Sequence, residues 1–573
     1  MATMNEHIKK ITKNKSRAPY NFVGLNGSVV KNDHPINDFG SLTGYSGFIT
    51  LSIETKTPVF IRDTQISTAE PSSNFFSPGE VLRIPGSSIR GLFRNMVEMI
   101  TYGNFTNFND QQLYFRAMKA GGPLASAYKS YGISDFLGGS VVYKTQCGIM
   151  KRKGSNFEIS CISKPLQILK EEARKLLNRD YKPYQILKRG NSYYCITGDI
   201  SNKKNDWIIP AIETTAKVIQ LKESDVNLYE QDRNRSKDHI NFFDYLSSKD
   251  EVPVFFVQIG GHTILGNTVM LRVPYLNLIS DHIPEILHKD VSQDFASAIF
   301  GSLESNPSRV IVEDCFSTQE IEAQSVGKAF SKALQSPKPT SYQHYLCQIS
   351  SEPGSIANYQ TTSRIKKGFN NPDQTEEFGL HEIRGYKQYW HKSENFEWRE
   401  TNSEVRSDMC QEINPVKTGT RFKGRVFFNN LTRIELGALL TAIQLPEDCC
   451  HKIGLGKPIG LGSIRIESEL FMFFDDNNVK DFYQNLTSSP IRQNETEFIN
   501  NFRDFLKEQI KSKSIVHSIW ENWRLSKLKK MLSFKEKPVD GRTTYLNLDD
   551  FSKINGKTDP EAAKKVLPDP EDI

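Results

Sequence analysis

The sequence has no uninterrupted apolar run of the length, about 18 residues, that a bilayer-spanning helix needs, so no membrane span is expected. Its first seventeen residues, MATMNEHIKKITKNKSR, are basic and contain no apolar stretch, which argues against a secretory leader and reads as a loose basic arm. Eight cysteines are present (147, 161, 195, 315, 347, 410, 449 and 450), but no CxxC pair and no Cys/His cluster with zinc spacing. Reduced, mostly buried thiols and a cytoplasmic setting are therefore expected. There is no GxxxxGK[ST] loop, no glycine fingerprint followed by a helix, no HD pair and no Ser/His/Asp set. Mononucleotide, dinucleotide and simple hydrolase chemistries lose their usual signatures with them. The net charge of +6 is small for 573 residues, so bulk charge says nothing about nucleic acid.

What is present is ordinary in total and uneven in distribution. Hydrophobic residues are 38% and charged residues 24%, enough for real cores, and the length implies two to four lobes. Between Val141 and Gly190 there are twelve Lys and Arg against four Asp and Glu, a surplus larger than that of the whole chain. That segment, with Lys151, Arg152, Lys153, Lys188 and Arg189, is either a solvated face or a patch that meets phosphates.

Two strand–helix–strand patterns lie far apart. In GFITLSIETKTPVFI (Gly47–Ile61), Phe48, Thr50, Ser52 and Glu54 alternate with Ile49, Leu51 and Ile53, the period of a half-buried strand. A polar loop leads to a short strand, EVLRI, and then a helix with Ile89, Leu92, Phe93, Val97 and Ile100 on one stripe and Arg90, Arg94 and Glu98 on another. Ser87 or Ser88 is the expected N-cap, after a turn at Gly86. Downstream, RFKGRVFFNN reads as a strand, Thr432 and Glu435 have capping-box spacing, and SIRIES follows a glycine-rich hairpin. Two such halves can form one ferredoxin-like (RRM-like) sheet with two helices on one face. The expectation is an α+β protein: a first core half at 18–120, an inserted α+β region at 121–419, a second half at 420–470, a helical region at 471–545 and a flexible tail at 546–573. Within the insertion, Val252–Leu276 reads as a hairpin or meander, and three helical patterns follow Glu469.

Each half carries a candidate anion site. The helix opening at Ser87 and Ser88 offers unpaired N–H groups, hydroxyls, and the charges of Arg90 and Arg94; plain capping with an Arg94–Glu98 ion pair is the alternative. In the hairpin, Gly454, Gly456, Gly460 and Gly462 strip side chains from the backbone around Lys457. A bare basic ridge of this kind suits a polymer backbone.

The stretches IPGSSIRGLFR (Ile84–Arg94) and GLGKPIGLGSIRI (Gly454–Ile466) resemble the paired signature of the RAMP superfamily, CRISPR-associated proteins with ferredoxin-like folds. APYNFVGL at Ala18, HTILGNTVMLRVPY at His262 and IRGYKQYWHK at Ile383 resemble one large single-chain family within it. The resemblance implies that the serine helix and the glycine loop lie close together and flank a guide RNA. The residues carried over are Ser87, Ser88, Arg90, Arg94, Gly454, Gly456, Lys457, Gly460 and Gly462. It implies a crRNA-binding subunit of a type III effector complex, with crRNA, complementary target RNA and other effector subunits as partners and no tightly bound cofactor. Some relatives cut target RNA with a loop aspartate. Asp63 in FIRDTQ is the counterpart here and would bring Mg2+, although the family's surrounding glycines are missing and a surface aspartate paired with Arg62 is the alternative. His262 and His391 are weaker acid–base candidates; His391, beside Tyr389 and Trp390, either stacks on a base or lies at the edge of a core. The GGDD turn of the signalling polymerase is absent. A general RNA-binding protein of the RRM type would want aromatics on the central strands, where this chain has Phe427 and Phe428 but not the full RNP pattern.

Overall fold

The computed structural model describes residues 16–32, 44–63, 72–117, 123–137, 140–162, 164–177, 186–190, 193–197, 205–210, 217–232, 241–289, 293–302, 307–317, 319, 324–351, 355–366, 376–402, 409–473, 490–545 and 565–573. Its main sheet is built from β1 (Tyr45–Thr55), β2 (Arg83–Ile84), β3 (Val310–Val312), β4 (Cys315–Ser317), β5 (Arg421–Leu431), β6 (His451–Lys452), β7 (Ser463–Met472) and β8 (Ile491–Gln493). The order across the sheet is β6-β7-β1-β5-β4-β2, with β3 also on β5 and β8 also on β7, and every pair is antiparallel. Helix α1 (Gly86–Ile100) and, further along the chain, α2 (Phe295–Phe300) and α3 (Arg433–Ile443) accompany it, followed by α4 (Glu495–Gln509) and α5 (Trp523–Leu532).

Alternation decides which face is buried. Ile49, Leu51 and Ile53 of β1 join Phe422, Val426 and Phe428 of β5 and Ile464 and Leu470 of β7 in one apolar cluster. Ile89, Phe93, Met96 and Val97 of α1 and Leu436, Leu439, Leu440 and Ile443 of α3 belong to the same cluster, so both helices cover this face. The capping box of α3 is present: the Thr432 hydroxyl accepts from the Glu435 amide and Glu435 Oε2 accepts from the Thr432 amide at 2.8 Å. Fully buried Glu435 also receives the Arg309 guanidinium and, at 2.6 Å, the Asn32 amide, which ties α3 to the start of β3.

Strands β3 and β4 fall inside 121–419, yet they extend the main sheet. Their segments are short and flanked by insertions, so periodicity had too few residues to mark them. The region before them forms a five-stranded sheet, Val218–Gln220, Asn156–Ile162, Gln146–Lys153, Glu251–Ile259 and His262–Gly266 in spatial order. The last two strands are the expected hairpin, closed by Gly260 and Gly261 at φ 58° and 80°, the left-handed pair that a tight hairpin turn takes. Val252, Val254 and Phe256 are buried in one cluster and Phe255, Val257 and Ile259 in another, so this sheet is covered on both faces and its sequence shows no alternation.

Two expectations are corrected. EVLRI is strand only at Arg83–Ile84, because Pro78–Glu80 forms a 3-10 turn with Gly79 and Glu80 at positive φ. Of the tail expected to be flexible, 546–564 lie outside the described residues, whereas 565–573 are anchored: Leu567 is buried, the Asn21 side chain donates to the Pro568 carbonyl at 3.0 Å and Lys527 pairs with Asp569 at 2.8 Å. Composition had suggested fraying there because a few apolar residues among many polar ones and prolines carry little pattern. Of the three late helical segments, α4 and α5 form, and NNVKDFYQNL lies outside the described residues.

Candidate nucleic-acid interface

Helix α1 does not open as its serines suggested. Pro85 is the N-cap residue and offers no capping side chain of its own; Ser87 and Ser88 lie in the first turn, Ser87 exposed and Ser88 half-buried. The first free amide, Gly86 N–H, donates to Asp314 Oδ1 at 2.8 Å, so the chain's own carboxylate already meets the positive end of the helix. Gly86 is required there because a Cβ would strike the Val312 carbonyl. Arg90 and Arg94 reach sideways to the C-terminal end of α2. Arg90 donates to the Phe300 carbonyl, and Arg94 Nη1 donates to the Gly301 carbonyl at 2.8 Å while its Nε holds Glu98 at 3.0 Å. The Arg94–Glu98 ion pair is therefore present. Burial, with Arg94 nearby, lowers the Arg90 pKa, and burial raises that of Glu98.

The glycine loop is a tight turn in which Gly456, Gly460 and Gly462 are buried and Leu455 is exposed. Gly454, Gly456, Gly460 and Gly462 have φ of 78°, 74°, 95° and 87°, which other residues rarely adopt. A Cβ at 454 or 462 would also press into the carbonyl of Phe60 or Ile453. The Leu455 amide donates to the Phe60 carbonyl at 2.8 Å, Phe76 N–H to Ile61 at 2.8 Å and Arg83 N–H to Phe76 at 3.0 Å. This backbone relay runs from the loop to the residues just before α1. The loop leads into β7 and α1 follows β2, four strand spacings of about 4.8 Å each across the sheet.

Beneath the loop, Lys457 is joined by two lysines that sequence reasoning missed, Lys452 and Lys392. Lys452 is buried, and its ammonium donates to the Leu461 carbonyl at 3.0 Å. Burial, then Lys392 and Lys457, pull its pKa down to about 7. Lys392 packs against Gly460, donates to the Asp540 carbonyl at 3.2 Å and to Thr543, and is brought by burial to about 8. Burial also lowers Lys457, which is half-exposed. Neither Lys452 nor Lys457 has an ion-pair partner among the described residues. The signal was faint, since Lys392 closes the aromatic run QYWH sixty residues from the loop. His391, next to it, is fully buried: its Nε2–H donates to the Cys450 carbonyl at 3.1 Å and its Nδ1 accepts from Ser463 at 2.8 Å. Burial holds it neutral, which removes the base-stacking alternative.

The stretch around His391 also pairs with APYNFVGL, Tyr20 opposite Tyr389 and Val23 opposite Tyr386. Asp63 is half-exposed, with its amide donating to the Asn74 carbonyl at 3.1 Å. Arg62 is not its partner: that guanidinium donates to the Ser72 carbonyl and to Gln411, both at 2.6 Å. Among the described residues no group of three or more His, Cys, Asp and Glu could hold a metal. His262 Nδ1 lies 3.2 Å from Asp225 in the insertion, away from the loop. In the basic segment Lys151 and Lys188 engage Glu251 at 3.1 and 2.6 Å and Lys153 engages Glu158 at 3.2 Å; the Arg189 side chain lies outside the described residues. Burial raises the Glu251 pKa, but hydrogen bonds from Lys188, Tyr194 and Lys151 outweigh it and bring the group to about 2.

A family model for the RAMP superfamily matches residues 52–465. The chain belongs to the RAMP superfamily of CRISPR-associated proteins and shares its RNA-binding role. A comparison with curated proteins gives no match. Among the described residues no helix is long and apolar enough to cross a membrane.

Proposed function

We propose that this chain is a guide-RNA-binding subunit of a type III CRISPR effector ribonucleoprotein, working with target RNA and neighbouring effector subunits on a ferredoxin-like core. Numbering the four main strand positions along the chain as β1, β3/β4, β5 and β7, their spatial order is 4-1-3-2, with α1 and α3 on one face; this supports the core assignment. One observation carries the RNA reading: a glycine-built turn with Leu455 and Lys457 at its surface, underlain by the buried Lys452 and Lys392. An arriving phosphate would supply the countercharge that two of these lysines lack. Ser87 and Ser88 are accessible enough to add hydroxyl contacts, whereas Arg90 and Arg94 are committed to α2.

The test is Lys457→Glu in the full chain, assayed for co-purifying RNA and for affinity against salt. Loss of bound RNA with a shallower salt slope is expected; unchanged occupancy and slope overturn the reading. A second reading, cleavage of target RNA, has one observation behind it: Asp63 lies three residues beyond Phe60, which bonds directly to the glycine loop. Incubation of the assembled complex with complementary RNA and Mg2+ should give products that Asp63→Ala abolishes; equal cleavage by both forms removes Asp63 from the chemistry.

A further inference from the structure

The face of the main sheet opposite α1 and α3 carries a second pattern. Phe427 of β5, Phe48 of β1 and Phe471 of β7 are register partners and form one row across three central strands. Phe48 and Phe471 are stacked at 5.0 Å and 16°, and Phe48 and Phe427 lie 5.8 Å apart. All three are half-buried, and Ile311 of β3, the register partner of Phe427, extends the row with 69% exposure. A column of cations runs down β5 from this row: Arg425, Lys423 and Arg421 are all exposed, spaced about 7 Å apart by the two-residue strand repeat. None has an ion-pair partner among the described residues. Arg425 lies over the Phe48 ring at 5.5 Å. Beside Lys423 in register is Phe316, 42% exposed, with Arg83 over its ring at 4.9 Å. Acids share this face: Glu54 of β1 is the register partner of Arg421 and is also held by Lys56 at 2.9 Å, while on β7 Glu469 is held by Arg492 at 2.9 Å and Glu467 lies opposite Ser52.

We infer that this open face is a binding platform for single-stranded RNA, separate from the glycine loop. Unpaired bases stack on the Phe427–Phe48–Phe471 row and on Phe316, and the sugar-phosphate backbone follows the Arg425–Lys423–Arg421 column. Flat rings accept any base, and Lys423 and Arg425, whose register partners on β1 are Ser52 and Thr50 rather than acids, suit a polyanion. Every contact on the platform is to a ring face or a phosphate, so it reads no sequence. The inference does not depend on the loop being an RNA site.

The probe is a fluorescein-labelled oligouridine, titrated by anisotropy against the full chain over a range of salt. Lys423→Ala with Arg425→Ala, both exposed, should weaken binding about tenfold at low salt and reduce the logarithmic salt slope by about 1.4, two single-strand phosphate contacts. Phe427→Leu with Phe471→Leu keeps the apolar cover and removes stacking; about fivefold weaker binding is expected. Photo-crosslinking of the parent to 4-thiouridine RNA, which depends on no variant folding, should place adducts on β1, β5 or β7. Parental affinity in both double variants, with no adduct on these strands, overturns the platform, and so does unchanged RNA affinity accompanied by loss of a protein subunit or of a second copy of the chain. If only Lys457→Glu loses RNA, the platform falls while the loop reading stands. If only the face variants lose it, the loop reading falls and the platform stands.

Discussion

Glu435 is a fully buried carboxylate satisfied by its own helix cap, by Asn32 and by Arg309. Removing it strands a buried guanidinium, so Glu435→Ala should cost about 3–5 kcal/mol in urea unfolding; a loss under about 1 kcal/mol would mean that Arg309 finds solvent. Lys452 sets a pH dependence. It titrates at about 7 in the folded chain against an ordinary 10.5. Between these values the unfolded chain holds a proton that the folded chain lacks. The Lys452 contribution to stability therefore increases as pH rises from about 7 towards 10.5 and levels off above that. Relative to the parent, Lys452→Met should be more stable at pH 7 and lose this part of the slope, which chemical denaturation at several pH values checks. Phosphate contact would favour the charged ammonium, so RNA binding should take up protons and tighten as pH falls from about 8 to 7.

At the scale of elements, the loop and α1 illustrate opposite uses of backbone. Gly462→Ala combines a positive φ with a clash against the Ile453 carbonyl. It should lower the melting temperature and speed hydrogen exchange across residues 453–463; unchanged exchange would show that the loop tolerates a side chain. Arg90→Ala with Arg94→Ala should release the end of α2 and destabilise the chain while leaving the RNA salt slope nearly untouched, because both guanidinium groups already hold carbonyls. The long elements were legible in the sequence: the alternation of β1, the stripe of α1, the Thr432–Glu435 cap and a hairpin within Val252–Leu276 all stand where the pattern put them. What escaped was what no local pattern encodes. Strands β3 and β4 are three residues each, Asp314 caps a helix more than two hundred positions earlier, and Lys392 meets the glycine loop only through the fold. Arginines on one stripe of α1 suggested an anion; the tertiary partner turned out to be the carbonyl end of another helix.

For the whole molecule, the closing segment matters more than its composition suggested. Ser16 N–H donates to the Val566 carbonyl at 2.8 Å and Leu567 N–H to Gln343 at 3.2 Å, so the last nine residues tie the early strand Tyr20–Val23 to the region around Gln343. Deleting 565–573 should lower the melting temperature and increase proteolysis near Tyr20; a deletion variant with parental stability would show the contact to be passive. The main sheet has a different consequence, one for synthesis. Its central strand β1 is made within the first 55 residues, but its partners β5 and β7 begin at 421 and 463. At about 5–20 residues per second, β1 waits on the order of 20–80 seconds for them. The inserted lobe, whose strands pair with near neighbours, can close in that interval. Ile49, Leu51 and Ile53 meanwhile have α1, complete at residue 100, to cover them, but both edges of the strand stay unpaired until β5 and β7 have emerged.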